Sequence, residues 1–260
     1  MPSILVLFLT LYVSVRLGPT IEAAALQANQ PSPDDYKNRE TLRLTSLLNS
    51  PEEEVRLDTV IRLSALRTPG SAGALASAAS DSSARVRAAA IVGIGHCGDP
   101  SFAPIVAAHL AADKSVLVRK SAAYALGKLK SNHSIAALTA ALQDKDLEVR
   151  GAAAVSLGEY EEPSAMTALT ASLADKSAFV QERAAQALGR YGRAAASAVP
   201  SLITLITTDG IHGVKLHAVI ALGQIGDRSA LPALEKATHD KDPYVSRAAT
   251  EAIKRIAESR

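Results

Sequence analysis

The sequence has few of the residues on which nucleic-acid, disulfide and zinc sites depend. Its 260 residues include no tryptophan, three phenylalanines and six tyrosines, so the aromatic platforms on which single-stranded nucleic acids stack are nearly absent. A single cysteine excludes an internal disulfide and a cysteine-rich zinc site. Basic and acidic residues almost balance at 28 and 26, so the net charge of +2 gives no electrostatic argument for a polyanion. We therefore expect no nucleic-acid partner.

Catalytic signatures are missing as well. The chain contains no glycine-rich phosphate loop, no nucleophile elbow and no metalloprotease helix motif. Cys97 falls in an apolar column and is expected to pack as a small hydrophobic residue. We therefore predict a protein that is not an enzyme, with no catalytic, cofactor-binding or metal-binding residue. Hydrophobic residues make up 48% of the chain, which is enough for a sizeable core.

The N-terminus carries an uncharged apolar run from Ile4 to Val15 (ILVLFLTLYVSV). A spanning helix needs about twenty apolar residues, so this shorter run fits the centre of a secretory signal. No basic residue precedes the run and Arg16 follows it directly, so an uncleaved anchor and a cytosolic protein with a misassigned start remain open alternatives. We assign residues 1–25 to a signal peptide or N-terminal anchor and 26–35 to a polar linker. This predicts an extracytoplasmic protein, periplasmic or secreted, that meets a membrane only through an uncleaved N-terminal segment.

From Ser50 onward the chain repeats itself with spacings of 31 to 34 residues. A small residue lies four positions after each repeated valine, a large aliphatic residue eight positions after it, and a mostly apolar residue eleven positions after it. Offsets 0, 4, 8 and 11 share one face of an α-helix, and a shorter apolar pattern such as Ile135, Leu138 and Leu142 follows. Each unit is therefore predicted to be two helices joined by a turn. The repeated valines are Val55, Val86, Val118, Val149, Val180, Val214 and Val245.

The predicted helix ends follow the same period. Glycine occupies offset 9 in five units, where it would let a neighbouring helix approach closely. Residues 50–53 (SPEE) predict a capping box before the first valine helix. N-cap residues are predicted three positions before five of the valines, at Ser83, Ser115, Asp146, Ser177 and Asp242.

The consensus of the units reads D-x-x-x-x-V-R-x-x-A-x-x-x-L-G-x-[IL], and its clearest copy is Asp113–Leu129 (DKSVLVRKSAAYALGKL). This pattern resembles the HEAT repeat, in the short HEAT-like form of phycobilisome lyases. The resemblance implies an all-α fold, a right-handed α-solenoid (superhelix) of about six stacked two-helix repeats. We place the solenoid over residues 36–260, with the helix 244–258 as a polar cap that stops end-to-end stacking.

Two charged columns accompany the valines. Aspartate lies five positions before the valine, and arginine or lysine one position after it. We interpret both columns as structural, with each aspartate bonding loop backbone N–H groups and an arginine of the adjacent unit, so that a ladder runs through the stack. A charged binding face is the alternative. The ladder residues are Asp81, Asp113, Asp144, Asp175 and Asp240 with Arg56, Arg87, Arg119, Arg150 and Lys215.

One spacing of 34 interrupts the array between Gly192 and Val214, where residues 209–213 (DGIHG) replace the usual loop. Irregular loops in regular arrays often carry function, so we name Asp209, His212 and His217 as a candidate partner-binding loop. A tolerated insertion is the alternative, and a metal site that adds His239 is another.

Taken with the resemblance, these features predict a monomeric, non-enzymatic scaffold that binds an extended protein partner on a concave wall formed by the second helices. A chromophore-lyase-like protein that holds a bilin for attachment to a client is the alternative that the resemblance implies. A structural module of a larger envelope or regulatory system is a third. The di-iron hydroxylases with HEAT-like repeats carry His-Glu pairs, and this chain has none.

Overall fold

The computed structural model describes residues 32–208 and 210–258, and in those residues it contains fourteen α-helices and no strand. From α2 onward, long and short helices alternate along the chain. They are α1 (Pro33–Leu47), α2 (Glu53–Leu66), α3 (Pro69–Ala78), α4 (Ala84–Cys97), α5 (Ala103–Ala112), α6 (Val116–Leu129), α7 (Asn132–Ala141), α8 (Leu147–Leu157), α9 (Pro163–Ser172), α10 (Ala178–Arg190), α11 (Val199–Thr207), α12 (His212–Ile225), α13 (Leu231–Ala237) and α14 (Pro243–Glu258).

The predicted N-terminal segments fall largely outside this part of the chain. Residues 1–25 lie wholly outside the described residues. The linker predicted over 26–35 overlaps α1, whose first residue is Pro33. Across residues 32–208 and 210–258, every helix is too short or too polar to cross a bilayer.

The chain divides into two units, Met1–Arg43 and Leu44–Arg260, and the boundary falls within α1. The described part of the first unit begins with a local cap, in which the Asp35 amide donates to Ser32 Oγ over 3.1 Å and Ser32 Oγ donates back to the Asp35 carboxylate over 2.9 Å. An ion pair between Arg43 and Glu40, at 2.7 Å, lies further along the same helix. These bonds satisfy polar groups in the first turns of α1.

The second unit is the α-solenoid that the repeat predicts. Each short helix from α3 onward packs more against the long helix that follows it than against the long helix before it, which makes six hairpins from Pro69 to Glu258. The helix expected over 244–258 is α14, which begins at Pro243 and forms a hairpin with α13. Its role as a polar cap stays a prediction.

The periodic apolar columns form the continuous core. All residues at offset 4 are at most 1% exposed, and six of the seven at offset 8 are fully buried. The valine column is buried from Val86 onward, whereas Val55 is 38% exposed.

Side-chain caps begin some of the long helices. Ser83 accepts the amides of Arg85 and Val86, and Asp146 accepts the amide of Glu148, as an N-cap residue does. Ser115 and Ser177 occupy the N-cap position without a side-chain cap bond. The capping box predicted at 50–53 is wrong, because Glu52 is the N-cap of α2 and its own amide donates to Ser50 Oγ over 3.2 Å.

Close approach of the long helices depends on the glycines at offset 9. A β-carbon at Gly95 would lie 2.8 Å from the Cα of Ala125, and one at Gly223 would lie 2.7 Å from the Cβ of Ala252. Real β-carbons essentially never come so near. The prediction that these glycines permit close packing is therefore confirmed.

The extra residues behind the spacing of 34 do not lie where we expected. Eight residues separate Arg190 from Val199, whereas five separate Leu157 from Pro163 at the corresponding junction. The additional three residues belong to the 3₁₀ segment Gly192–Ala198, and the stretch between Thr207 and His212 is no longer than its counterparts. The insertion therefore lies between α10 and α11.

Candidate functional site

The structure brings each ladder arginine together with the aspartate of the next repeat. Arg119 Nε and Nη2 donate to the Asp144 carboxylate over 2.7 and 2.9 Å, and Nη1 donates to the carbonyl of Asp113 over 3.0 Å. Asp144 Oδ1 also accepts the Asp146 amide over 2.8 Å. One carboxylate therefore stabilises the loop before α8 and binds Arg119 of α6. Bidentate pairs with the same geometry join Arg56 to Asp81, Arg87 to Asp113 and Arg150 to Asp175, and Lys215 Nζ lies 3.3 Å from Asp240.

The ladder carboxylates are held in their charged form. Burial acts to raise the pKa of Asp113, but hydrogen bonds from Arg87 and from the Ser115 amide favour the carboxylate and lower that pKa to about 2. The hydrogen bond from Arg56 likewise lowers the pKa of Asp81. Groups that stay ionised throughout the physiological range are suited to holding loops together and poorly suited to proton transfer.

The ladder changes at α10, where glutamine replaces arginine. Gln181 Nε2 donates to the Asp175 carbonyl over 2.8 Å. This corresponds to the bond that a ladder arginine makes to the loop of its own repeat, without the ion pair to the next repeat. In the described part of the chain, no ion pair of this type joins α10 to the loop before α12. Two tyrosines at offset 11 add a second link, since Tyr160 Oη donates to the Leu126 carbonyl and Tyr191 Oη to the Leu157 carbonyl, each over 2.6 Å.

The candidate partner-binding loop does not assemble a site from its described residues. Asp209 lies outside the described residues. His212 is 69% exposed with Nδ1 3.4 Å from the Asp242 carboxylate, and the His217 ring lies 2.8 Å from its own helix's Gly213 carbonyl. His239 contacts the hydroxyl of Thr238. The described histidines of this region therefore have separate partners, and no group of three or more metal-ligating side chains occurs within 32–208 and 210–258.

We expected the shorter, second helices of the predicted units to form the concave wall, but the packing favours the long helices in that position. Neighbouring long helices contact one another more extensively than neighbouring short helices do. The glycines at offset 9 remove the side chains that would keep the long helices apart. A stack curves toward its more closely spaced layer, so the outward face of the long helices becomes the concave wall.

An apolar groove runs along this wall. Its first cavity, of about 950 Å³, is centred on α4, floored by Ala88 and Ala89 and walled by Ile61 of α2 and Leu117 of α6. Ile61 and Leu117 are 58% and 44% exposed, so two large apolar side chains face open space. Exposed apolar residues gathered in one depression are typical of an interaction surface.

A second cavity, of about 560 Å³, continues the groove over α8. Tyr124 of α6 and Phe179 of α10 wall it, and Ala152 and Val155 form its floor. Val92 and Ser121 line both cavities, so the two are continuous from α2 to α10. A separate cavity of about 350 Å³ lies between α12 and α14, where Ile220 is 40% and Tyr244 71% exposed.

This groove was not predicted from the sequence, although the sequence carries a signal for it. Leu57, Ile61, Val92, Tyr124 and Val155 all lie at offset 2 or 6, on the helix face opposite to the buried columns. A solvent-facing helix side is normally polar, so apolar residues there in four successive repeats indicate a binding surface. The arrangement can bind an apolar segment.

Comparisons with known proteins agree with this architecture. A search of curated protein sequences found no match. Among solved structures, the chain is similar to the Escherichia coli protein YibA, with 21% identity over 89% of this chain and 98% of that one and a TM-score of 0.55.

Two other solved structures share the fold. The complex of CpcE and CpcF of phycocyanin lyase from Nostoc is 19% identical, covers 86% of this chain and 88% of that one, and has a TM-score of 0.53. An engineered protein is 21% identical, covers 84% of this chain and 68% of that one, and has a TM-score of 0.54. At such identities the likeness shows the fold alone. The family model for HEAT repeats matches residues 41–127, 104–189 and 175–254, and the chain therefore belongs to the HEAT-repeat family.

Proposed function

We propose that the protein is a non-enzymatic interaction scaffold that binds an extended segment of a partner protein in the groove from α2 to α10. The observation that carries this proposal is the continuous pair of cavities, in which the apolar side chains of Ile61, Leu117 and Tyr124 are each more than 40% exposed. Solenoids of stacked repeats present long concave surfaces of this kind to protein partners.

Site-specific photocrosslinking tests the proposal with a matched control. A photoreactive phenylalanine derivative replaces Tyr124 in the groove or Ile105 on the short helix α5, two positions that are both 41% exposed. In cells that express the chain naturally, we expect a discrete adduct from position 124 and none of that mass from position 105. Equal adduct formation at both positions, or none at 124, would contradict groove binding.

We also propose that the protein works outside the cytoplasm as a monomer. The apolar run Ile4–Val15 supports export. Mass spectrometry of the N-terminus after cell fractionation is the test, and we expect a chain shortened by about 25 residues, the length of a secretory signal, in an extracytoplasmic fraction. An intact Met1 in the cytoplasmic fraction would contradict export, and a dimer by light scattering would contradict the monomer.

Visible absorbance spectroscopy distinguishes the scaffold function from the chromophore-lyase alternative. Its support is the family resemblance, because the likeness to the phycocyanin lyase subunits shows only a shared fold. A protein that holds a bilin would change the visible absorbance of an added linear tetrapyrrole. We expect no change, and a saturable spectral shift would favour the alternative.

A further inference from the structure

We infer that the segment bound in the α2–α10 groove is an acidic one, a peptide in which large apolar side chains are accompanied by aspartate or glutamate. This inference rests on the proposed function and adds the chemical class of the partner. The overall composition, with nearly equal numbers of basic and acidic residues, does not predict an acidic partner. The inference depends on which charged side chains line the groove.

The lining of the groove is more basic than the chain as a whole. The first cavity is lined by Arg67, Arg85 and His96 and by no carboxylate. The second is lined by Lys120 and Arg183 and by one carboxylate, that of Glu148. Four permanent cations therefore face one anion over the two cavities, against nearly equal numbers in the whole sequence.

Two of these cations have no carboxylate within ion-pair distance among the described residues. Arg67 terminates α2 in the left-handed conformation, with φ of 51°, and is exposed beside the first cavity. The Arg183 guanidinium stacks over the Phe179 ring at 5.0 Å and donates to the Gln186 side chain. The other two are already paired, since Arg85 contacts Glu53 and Glu54, and Lys120 contacts Glu148.

The unpaired cations mark the two ends of the groove. Arg67 belongs to α2 and Arg183 to α10, whereas the apolar floors lie on α4 and α8 between them. With neighbouring helices about 8–10 Å apart, the two floors are about 16–20 Å apart. An extended chain advances about 3.3 Å per residue, so its two apolar anchors would be about five or six residues apart. Carboxylates flanking those anchors would reach Arg67 and Arg183.

Selection from a phage-displayed library of random 16-residue peptides tests the inference on the full chain. We expect the selected peptides to combine two large apolar residues with an excess of acidic residues. Ala89→Trp, which fills the first cavity, should weaken their binding at least tenfold. Leu117→Ser, which shortens an exposed wall residue, should weaken it as well, and thermal melts check that both variants fold.

Charge-reversal variants separate a basic groove from a general effect of charge. We expect Arg67→Glu with Arg183→Glu to weaken the selected peptides at least tenfold. The control, Lys145→Glu with Lys236→Glu, makes the same charge change at two exposed positions away from the groove and should change the affinity less than twofold. Equal effects of the two double variants would overturn the inference.

The outcomes also distinguish the inference from the proposed function. Selection of neutral or basic peptides that no longer bind Ala89→Trp and Leu117→Ser would overturn the inference of an acidic partner. The proposal that the groove binds a peptide would still stand. Failure to select any peptide sensitive to those two variants would overturn the groove itself. Binding of a twenty-nucleotide oligothymidine that competes with the selected peptides would also overturn the inference, because the groove would then take nucleic acid.

Discussion

At the scale of single residues, the ladder arginines provide the strongest polar links between successive repeats. Arg119 and Arg150 are buried, with side chains only 5% exposed, and each joins two loops through four or more hydrogen bonds. A buried charge that loses its partner is costly, because the remaining charge keeps its desolvation penalty without compensation. Substitutions on the ladder should therefore act on stability.

Arg119→Ala is expected to destabilise the protein by about 2–4 kcal/mol, since Asp144 would keep only its bond to the loop amide. For a chain of this size that corresponds to a fall of roughly 5–15 °C in the melting temperature. Lys145→Ala is the control, because Lys145 is exposed and acts on Asp144 only through its charge, without a hydrogen bond or ion pair from its side chain among the described residues. Equal shifts for the two variants in a thermal melt would refute the structural role of the ladder.

Acid should weaken the ladder in a defined pH window. The pKa of Asp113 lies below its ordinary value of 3.8, at about 2, so the stabilisation it provides is present above pH 3.8 and is lost as the pH falls toward 2. The difference between the two pKa values corresponds to about 2 kcal/mol. Urea unfolding of the wild type and of Asp113→Asn should therefore differ most near pH 6 and converge near pH 2. A constant difference over that range would contradict the assignment.

At the scale of the helices, the distance between neighbouring long helices is set by the small residues at their contact points. Gly95 and Gly223 face the backbone of the next long helix, which cannot shift as the end of a flexible side chain can. The short helices have no such contacts in the glycine positions that the structure describes. The difference in spacing between the layers is what turns the long helices into the concave wall.

Two glycine-to-alanine substitutions should therefore have opposite signs. Gly73→Ala in α3 places a methyl group in open space, and the better helix propensity of alanine should stabilise the protein by about 0.5–1 kcal/mol. Gly95→Ala places a methyl group 2.8 Å from the Ala125 Cα and should destabilise the protein by about 1–3 kcal/mol. Denaturant titrations measure both changes, and stabilisation by Gly95→Ala would show that the helices can separate at little cost.

At the scale of the whole solenoid, stability is the sum of the repeats and of the interfaces between neighbours. The ladder supplies a bidentate ion pair at four successive interfaces and then weakens at Gln181. The repeats from α11 onward are thus held mainly by apolar packing, with weaker polar contacts from Lys215 to Asp240 and from His212 to Asp242. They form the part of the solenoid that should open first.

Hydrogen exchange followed by mass spectrometry should detect this difference. We expect amides of α12 and α14 to exchange faster than amides of α6 and α8, because partial unfolding from the C-terminal side crosses the weakest interface. Uniform protection across all four helices would show that the ladder does not control the cooperativity of the stack.

The sequence alone determined the repeat, the helix pairs, the buried columns and the glycines of the close contacts. These properties follow from residues a few positions apart on one helix, where a period of 3.6 residues fixes which side chains share a face. For the same reason, a period near 31 residues was enough to predict a solenoid of stacked hairpins.

Three properties depend on how the helices pack: which layer is concave, where the three extra residues lie and which apolar residues line a groove. The curvature depends on the difference in spacing between two layers, and that difference appears only when the packed helices are compared. Ile61, Leu117 and Phe179 come from three separate repeats, and their common groove exists because the stack brings them to one wall. Arg67 and Arg183 are ordinary surface cations in the sequence, and packing is what places them at the two ends of an apolar surface.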